Sequence, residues 1–414
     1  MKLAVVGGGS TYTPELIDGF ARLRDELPVT EIALIDPNIS RLELVAGVSR
    51  RMLAHAGHPA TVTATSSVEE GVAGATAVLL QLRVGGQAAR DVDETLPLRC
   101  GCVGQETTGA GGLAKALRTV PVVLDIAGKV DPGTWIVDFT NPVGIVTRAL
   151  LDAGHRAIGL CNVAIGVQRR FAASLGVDPS RVSLGHVGLN HLTWVRSVHV
   201  DGRDVLPEAL ASDRVEELAE GLGLRPALLR RLGAIPSYYL RYFYAHDQVV
   251  EEQRSSPSRA AEVAAIEGQL LDLYADPAVV TKPELLERRG GAFYSEAAVA
   301  LLASLLGDRN DVQVVNLRNR GTLPFLDDDA VIEVPARIGA DGAVPLPVDP
   351  VEPLYSGLIA HVAAYERLAL DAALHGGADR VRDALLAHPL VGQDAVAEEL
   401  TGLLLEANAR YLPW

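Results

Sequence analysis

The stretch Lys2-Leu3-Ala4-Val5-Val6-Gly7-Gly8-Gly9-Ser10 decides the fold, because an apolar run typical of a buried strand ends in three consecutive glycines. Thr13-Pro14-Glu15 follows, and this order is typical of the cap, first-turn proline and first-turn acid of a helix. Such a loop lets the backbone approach a pyrophosphate, which binds to the unpaired N–H groups of the helix. Tyr12 occupies the place of the last glycine in the G-x-G-x-x-G pattern, so a plain tight turn is the alternative.

The next apolar run, Glu31–Ile35, ends at Asp36. An acid at the end of a second strand accepts hydrogen bonds from the ribose hydroxyls, and its charge repels a 2′-phosphate. The sequence therefore predicts a site for NAD rather than NADP, formed by Gly7, Gly8, Gly9, Ser10, Thr11 and Asp36. The alternative for Asp36 is a cap of the helix that follows.

Outward from the glycine loop, apolar runs alternate with helical stretches, as in βαβ units on a parallel sheet. The predicted strands are Lys2–Val6, Glu31–Ile35, Ala60–Thr63, Ala77–Leu82, Thr134–Asp138 and Ala157–Leu160. From about Val182 the pattern changes. There we predict an antiparallel hairpin with an Asp201-Gly202 turn between Thr193–Val200 and Arg203–Leu206, and helices at Ser258–Tyr274, at Ser295–Leu306 and from Leu354 onward.

The fold class is therefore predicted to be α/β, with a Rossmann-type parallel sheet in residues 1–180 and a mixed α/β domain in residues 181–414. A chain of 414 residues is too long for one typical core, which favours two domains.

The net charge of −15 argues against a nucleic-acid partner, because phosphates are repelled unless basic residues are concentrated in one patch. The basic pairs are short and are predicted to lie on solvated helix faces: Arg169-Arg170, Arg230-Arg231 and Arg288-Arg289. No stretch approaches the ~20 apolar residues that span a bilayer. The short apolar N-terminus and the odd number of cysteines (Cys100, Cys102 and Cys161) predict a soluble, cytoplasmic protein with reduced thiols.

A long glycine-rich and charged connection leaves the fourth predicted strand. It contains Arg83-Val84-Gly85-Gly86, Arg90-Asp91, Asp93-Glu94 and Gly104-Gln105-Glu106-Thr107-Thr108-Gly109. Long loops at the carboxyl ends of parallel strands commonly bind ligands. The alternative is a solvated lid without a direct role.

Two further polar motifs follow predicted strands. Asn141, in Asp138-Phe139-Thr140-Asn141-Pro142-Val143, either contacts a ligand or caps the helix that begins at Pro142. Cys161-Asn162 is followed about thirty residues later by Gly188-Leu189-Asn190-His191. A thiolate and an imidazole are typical ligands of a borderline divalent metal, although a buried cysteine and a hydrogen-bonded histidine without a metal are the simpler interpretation.

Together these motifs resemble glycoside hydrolase family 4, the NAD- and metal-dependent glycosidases. The resemblance rests on Val6-Gly7-Gly8-Gly9-Ser10, Gly104-Gln105-Glu106-Thr107, Thr140-Asn141-Pro142, Cys161-Asn162-Val163, Gly188-Leu189-Asn190-His191 and Ile235-Pro236-Ser237-Tyr238-Tyr239-Leu240-Arg241-Tyr242. It implies a fold like that of lactate and malate dehydrogenases, with substrate, metal and oligomer contacts assigned to residues 181–414. It also implies a homodimer or homotetramer.

The resemblance implies a route other than the two-carboxylate scheme of most glycosidases. NAD⁺ takes a hydride from C3 of the sugar, and the ketone acidifies the C2 proton. A base removes that proton, the leaving group departs from C1, water adds, and the hydride returns to C3.

Residue roles follow from the resemblance position by position. It implies Cys161 and His191 as ligands of Mn²⁺ or another divalent metal, and Tyr239 as the base at C2, with Tyr238 as its rival. Glu106 corresponds to a position that tunes the base. Arg90, Asn141 and Arg259 correspond to substrate contacts.

The substrate subtype depends on Asn162, because asparagine after the metal cysteine accompanies the 6-phospho-β-glucosidases of the family. We therefore expect a phosphorylated glucoside or disaccharide as substrate, although Ala164 departs from the Asn-x-Pro pattern and Asn162 is no acid for the leaving group. The alternatives are another family 4 specificity (α-glucosidase, 6-phospho-α-glucosidase or α-galacturonidase), a 2-hydroxy-acid dehydrogenase, or an NAD-binding sensor. The dehydrogenase is disfavoured because Leu192, not glycine, follows His191.

Overall fold

The glycine-ended run forms the central strand of a sheet in the computed structural model, which describes residues 1–290 and 293–414. Six parallel strands have the order β3-β2-β1-β4-β5-β6. They are β1 (Lys2–Val6), β2 (Glu31–Ile35), β3 (Thr61–Thr65), β4 (Ala77–Leu80), β5 (Trp135–Asp138) and β6 (Ala157–Gly159). This is the Rossmann strand order, so the predicted fold class is confirmed.

Helices connect these strands: α1 (Thr13–Arg22), α2 (Ile39–His55), α3 (Val68–Val72), α4 (Gly86–Thr95), α5 (Gly109–Ala127), α6 (Val143–Asp152) and α7 (Val163–Leu175). One local prediction was wrong: Thr13 is the first residue of α1 rather than its cap, and its hydroxyl donates to the Gly8 carbonyl at 2.9 Å. The alternative for the connection after β4, a solvated lid, is disfavoured, because α4 lies within it and Asp93 and Glu94 are buried.

A second, antiparallel sheet follows α7. It comprises β7 (Val182–Leu189), β8 (Leu192–Val200), β9 (Arg203–Asp204) and β10 (Ile235–Pro236). The β8–β9 hairpin was predicted. The long partner β7 was missed, and β9 ends earlier than expected because the next helix begins at Leu206.

The C-terminal half then returns to the first sheet. Strands β11 (Asp311–Arg318), β12 (Val331–Gly339) and β13 (Gly342–Pro345) extend it beyond β6 in antiparallel pairing, which makes nine strands. The sheet therefore crosses the boundary predicted near residue 180, and the division into two domains stays a prediction.

The remaining helices are α8 (Leu206–Ala211), α9 (Arg214–Leu222), α10 (Pro226–Leu232), α11 (Arg241–Tyr244), α12 (His246–Arg254), α13 (Arg259–Ala275), α14 (Leu285–Arg289), α15 (Tyr294–Gly307), α16 (Pro353–His375), α17 (Ala378–Ala387) and α18 (Asp394–Asn408). Helices α8 and α10 pack against the second sheet, α15 packs against the first, and α16 packs on α5. The largest hydrophobic core joins residues of both halves.

All three cysteines are free thiols. Among the described helices, none combines the length and the apolar character that crossing a membrane requires.

Candidate active site

A cavity of about 530 Å³ lies at the carboxyl ends of the parallel strands. Gly7, Gly9, Ser10 and Asp36 line one part of it. Four other residues singled out from the sequence also line it: Arg90, Asn141, Asn162 and Tyr239. The fold thus brings the glycine loop and the later polar motifs to one cleft.

The glycine loop packs tightly against the end of β2. The N–H groups of Gly7 and Gly8 both donate to the Ile35 carbonyl at 2.9 Å. Gly7 has a φ of +85°, and a side chain at Gly8 would lie 2.8 Å from the Ile35 nitrogen. Only glycine therefore fits at these two positions without a shift of the neighbouring backbone, which is that of Gln81 beside Gly7 and that of β2 beside Gly8.

Asp36 lies at the glycine loop and is not the cap of α2. Its Oδ2 accepts from the Gly9 N–H at 3.1 Å, and its Oδ1 accepts from the Asn38 N–H at 2.9 Å. Asn38 caps α2 instead, since its side chain accepts from the Arg41 N–H. Asp36 lines the cavity, which places a carboxylate where the sequence predicts a ribose contact.

Glu106 lies at the centre of a cationic cluster. Its carboxylate accepts from Lys115 Nζ at 2.5 Å and from Arg90 Nε at 3.1 Å, and it pairs with Arg83. Burial alone would raise the pKa of Glu106, but the charges of Arg83, Lys115 and Arg90 hold that pKa well below its usual range. Glu106 is therefore a permanent anion that fixes three cations at the cavity wall.

Lys115 was missed in the sequence although it lines the cavity. Burial lowers the pKa of this amine to about 8, and the nearby charge of Glu106 opposes the shift. The sequence did carry a signal, because Lys115 and Arg118 are the only charged residues in the first fifteen positions of the otherwise apolar α5. Arg118 has a different partner, the buried carboxylate of Asp93.

The two adjacent tyrosines face different surroundings. Tyr239 lines the cavity, and its ring stacks on the His191 imidazole with 3.7 Å between the ring centroids. Tyr238 is 41% exposed, and its hydroxyl accepts from Arg241 at 2.8 Å. Burial raises the pKa of Tyr239 well above that of a free phenol, Cys161 and the carboxylate of Glu106 add to this, and Arg90 opposes it.

His191 is held in place from two sides. Its Nδ1 is 3.1 Å from the Thr107 hydroxyl, and its carbonyl accepts from the Ser237 hydroxyl at 2.9 Å. The residue has a φ of +64°, in the tight turn between β7 and β8. Burial lowers the pKa of its imidazole to about 4, so the ring is neutral and able to ligate a metal.

Cys161 is buried two residues after β6 and lines a second cavity of about 950 Å³. Burial and the charge of Glu333 raise the pKa of its thiol, while hydrogen bonds from Asn190 and the backbone oppose the shift. His191 stacks on Tyr239, and Cys161 contributes to the raised pKa of the same tyrosine.

A buried carboxylate that the sequence did not reveal supports this region. Glu333 accepts from Asn190 Nδ2 at 2.9 Å and from Asn316 Nδ2 at 3.0 Å, and it is 2.9 Å from His186 Nε2. These bonds fix Asn190, the neighbour of His191, to β12.

A metal at this place would have two protein ligands. Within residues 1–290 and 293–414, no group of three or more His, Cys, Asp or Glu side chains is placed to hold an ion. The thiolate and imidazole donors suit a borderline divalent metal, and the other coordination positions would belong to substrate and water.

The substrate-contact candidates differ in their placement. Asn141 lines the cavity and does not cap α6, and its buried Oδ1 has no hydrogen-bond partner among the described residues. Arg90 also lines the cavity. Arg259 does not: its side chain is 45% exposed, and it donates to the carbonyls of Arg288 and Arg289 and pairs with Glu262. The structure thus brings Arg90 and Asn141 to the cavity but not Arg259.

One basic pair was misinterpreted. Arg289 does not lie on a solvated helix face, because its guanidinium pairs with Glu267 at 3.0 Å and lines the cavity. Arg41 pairs with the same carboxylate at 2.9 Å. Sequence reasoning missed all three residues, since Arg289 and Glu267 are distant in the chain from the glycine loop that they border.

Residues 2–177 match the family model described as Family 4 glycosyl hydrolase, and residues 186–391 match that family's C-terminal domain. The chain belongs to glycoside hydrolase family 4. This family 4 glycoside hydrolase is 37% identical to a probable 6-phospho-β-glucosidase of Bacillus subtilis, over 100% of this chain and 97% of that protein. It is 35% identical to the 6-phospho-β-glucosidase of Escherichia coli, over 100% of this chain and 96% of that protein.

Solved structures agree with this assignment. The 6-phospho-β-glucosidase of Thermotoga maritima with NAD and glucose 6-phosphate superposes on the family 4 chain with a TM-score of 0.93, 33% identity and coverage of 100% and 99%. The same enzyme with manganese, NAD⁺ and glucose 6-phosphate gives a TM-score of 0.92 at 32% identity and the same coverage. A Cryptosporidium parvum malate dehydrogenase, at 15% identity, covers 90% of this chain and 98% of its own with a TM-score of 0.56, which confirms the predicted fold relationship alone.

Proposed function

We propose that this chain hydrolyses 6-phospho-β-glucosides and requires NAD and a divalent metal, Mn²⁺ or a similar ion. One observation carries the proposal: Tyr239 lines the cavity that continues to the glycine loop and Asp36, and its ring stacks on the His191 imidazole. A dehydrogenase needs the glycine loop but has no use for a buried tyrosine that stacks on an imidazole in the same cleft. The full-length similarity to named 6-phospho-β-glucosidases supports the substrate class.

The residues of this cleft fit both NAD and a divalent metal. The glycine loop and Asp36 suit a dinucleotide without a 2′-phosphate, and Cys161 with His191 suits a soft divalent ion. When bound, NAD supplies reversible oxidation at C3 of the sugar, and the metal polarises the C2 and C3 oxygens.

The protein itself contributes positioning and proton transfer. Tyr239 removes the C2 proton, and its stacking on His191 holds the ring in place. Asn141 has an unpartnered Oδ1, which accepts from a sugar hydroxyl. Arg90 is fixed by Glu94 and Glu106 and borders the same space, where its charge favours the tyrosinate form of Tyr239.

The resemblance to glycoside hydrolase family 4 favours a β-configured substrate, because asparagine at the position of Asn162 accompanies the 6-phospho-β-glucosidases of the family. Asn162 lines the cavity directly after Cys161, and an amide supplies no acidic proton to the leaving group. Substrates whose leaving group needs little protonation are therefore favoured, such as aryl 6-phospho-β-glucosides.

The cofactor assignment predicts that NAD binds much more tightly than NADP. Asp36→Ala should lower the affinity for NAD by ~10-fold or more, because a charge-assisted hydrogen bond to the ribose is lost. It should lower the affinity for NADP less. Titration of the protein with each nucleotide checks this. Equal affinities in the unchanged protein would contradict the role of Asp36.

The function is tested with chromogenic α- and β-glucosides, each with and without a 6-phosphate, in the presence and absence of NAD⁺ and Mn²⁺. We expect turnover of the 6-phospho-β-glucoside alone, dependent on both additions, with no net NADH. Accumulation of NADH would indicate a dehydrogenase. Turnover of another glucoside would indicate another specificity of the family.

Three further assignments belong to the proposal. Free thiols among the described residues favour a cytoplasmic location. We also propose a homodimer or homotetramer, and a division of labour in which residues 1–180 bind NAD and residues 181–414 contribute substrate, metal and subunit contacts. Sedimentation of the purified protein tests the oligomeric state.

A further inference from the structure

Arg289 links the C-terminal half of the chain to the glycine loop. It ends α14, and its Nε donates to the Thr11 hydroxyl at 2.8 Å while its Nη2 lies 3.5 Å from the Ser10 hydroxyl. The guanidinium carbon is 5.5 Å from the centre of the Tyr12 ring. The side chain is only 14% exposed and lines the cavity. A cation is therefore held beside the loop at the N-terminus of α1.

Glu267 orients this guanidinium. The carboxylate accepts from Arg289 at 3.0 Å, from Arg41 at 2.9 Å and from Gln87 at 3.1 Å. Burial would raise the pKa of Glu267, but Arg289 and Arg41 hold it at about 2. Glu267 therefore remains charged, and two arginines share one carboxylate.

This group of side chains carries one net positive charge in a poorly hydrated wall of the cavity. Burying an excess charge costs free energy unless a counter-charge is supplied. An arginine, the Ser10 hydroxyl and a helix N-terminus are donors typical of a site for phosphate, whose oxygens accept several bonds at once. The arrangement is therefore completed by an anionic ligand in the cavity.

We propose that Arg289 binds a phosphate group in this cavity, with Ser10 as a co-donor and with Thr11 and Glu267 as the residues that position the guanidinium. Two phosphates reach this cleft under the proposed function: the pyrophosphate of the cofactor and the 6-phosphate of the sugar. The second source rests on the proposed function, whereas the first requires only dinucleotide binding.

The test compares Arg289→Met with a matched control, Arg288→Met. Arg288 is the exposed neighbour in the same helix, so its replacement changes the net charge equally. Calorimetry measures the affinity for NAD and for adenosine, which lacks phosphate. With NAD present, it also measures the affinity for glucose 6-phosphate and for glucose. These binding measurements do not depend on turnover, so they remain informative if the proposed hydrolytic activity is absent.

If Arg289 binds the pyrophosphate, Arg289→Met lowers the affinity for NAD by ~10-fold or more, because a charge-assisted hydrogen bond is lost. The affinity for adenosine is unchanged. If it binds the sugar phosphate, the same loss is seen for glucose 6-phosphate and not for glucose. Arg288→Met changes neither affinity. Either loss supports the proposal and identifies the phosphate.

Two results would overturn the proposal. One is unchanged affinity for both phosphorylated ligands in Arg289→Met. The other is an equal loss for adenosine and NAD, which would show a structural role. Should Arg289→Met unfold, Arg289→Lys keeps the charge but loses the planar fork. Arg289→Lys is expected to lower the affinity for either NAD or glucose 6-phosphate several-fold. Unchanged affinity for both would reject the proposal.

Discussion

Replacement of Tyr239 by phenylalanine is expected to lower kcat by about 10²- to 10⁴-fold, the range typical for loss of a general base. The substitution removes only the ionisable oxygen and keeps the ring that stacks on His191. The fold and the melting temperature should therefore change little. The effect is expected to be large because the other ionisable groups of the described cavity wall are engaged elsewhere. Glu106 is paired with three cations, one of which is Lys115, Glu267 is paired with two arginines, and Asp36 lies at the glycine loop.

The buried phenol needs positive charge to act as a base at neutral pH. Burial raises the pKa of Tyr239, Cys161 and the carboxylate of Glu106 raise it further, and Arg90 offsets only part of this. A divalent ion held by Cys161 and His191 would add charge beside the ring. The base is thus expected to function only in the metal-loaded enzyme.

Tyr238→Phe is the matched control. Its hydroxyl faces Arg241 and is largely exposed, so its removal should leave kcat within a few-fold of the unchanged enzyme. Hydrolysis in D₂O provides an independent measurement, since proton abstraction leaves solvent deuterium at C2 of the product. Complete retention of the C2 proton, or a greater loss in Tyr238→Phe than in Tyr239→Phe, would contradict this assignment.

The parts of the fold that sequence predicted are those with local signals. The run that ends in Gly7-Gly8-Gly9 and the run that ends at Asp36 were predicted with their exact bounds, because glycines and an acid stop an apolar run abruptly. Strand β12 was missed. It carries Glu333 among apolar residues and Pro335, both of which disfavour an interior strand when only the sequence is known.

In the candidate site, too, the sequence predicts the residues that lie in a local motif and misses those that do not. Family motifs predict roles for Tyr239, Cys161 and His191 and favour Tyr239 over Tyr238, and the structure adds that Tyr239 lines the cavity whereas Tyr238 is exposed. Glu333 and Arg289 were missed because their partners are distant in sequence. Glu333 contacts Asn190, 143 residues away, and Arg289 contacts Thr11, 278 residues away. No spacing rule predicts such pairs before the sheet is assembled.

The second large effect is expected at the metal site. Cys161→Ser replaces a soft thiolate by a hydroxyl that does not ionise at neutral pH and is a poor ligand. Because the described residues offer only two protein ligands, loss of one should lower the affinity for Mn²⁺ by at least ~100-fold. This exceeds the usual effect of replacing a residue that only hydrogen-bonds to a metal ligand. Turnover should be abolished at ordinary metal concentrations, while NAD affinity should remain, since Cys161 lies outside the residues that line the glycine-loop cavity.

Cys102→Ser is the matched control, because Cys102 is also a buried free thiol and its replacement carries a similar cost in stability. It should retain Mn²⁺-dependent activity. Electron paramagnetic resonance of free Mn²⁺ measures the metal affinity, with and without glucose 6-phosphate. We expect the sugar to strengthen metal binding in the unchanged enzyme, since a two-ligand site needs substrate oxygens to complete its coordination. If Cys161→Ser bound Mn²⁺ as tightly as Cys102→Ser does, the thiol would not be a ligand.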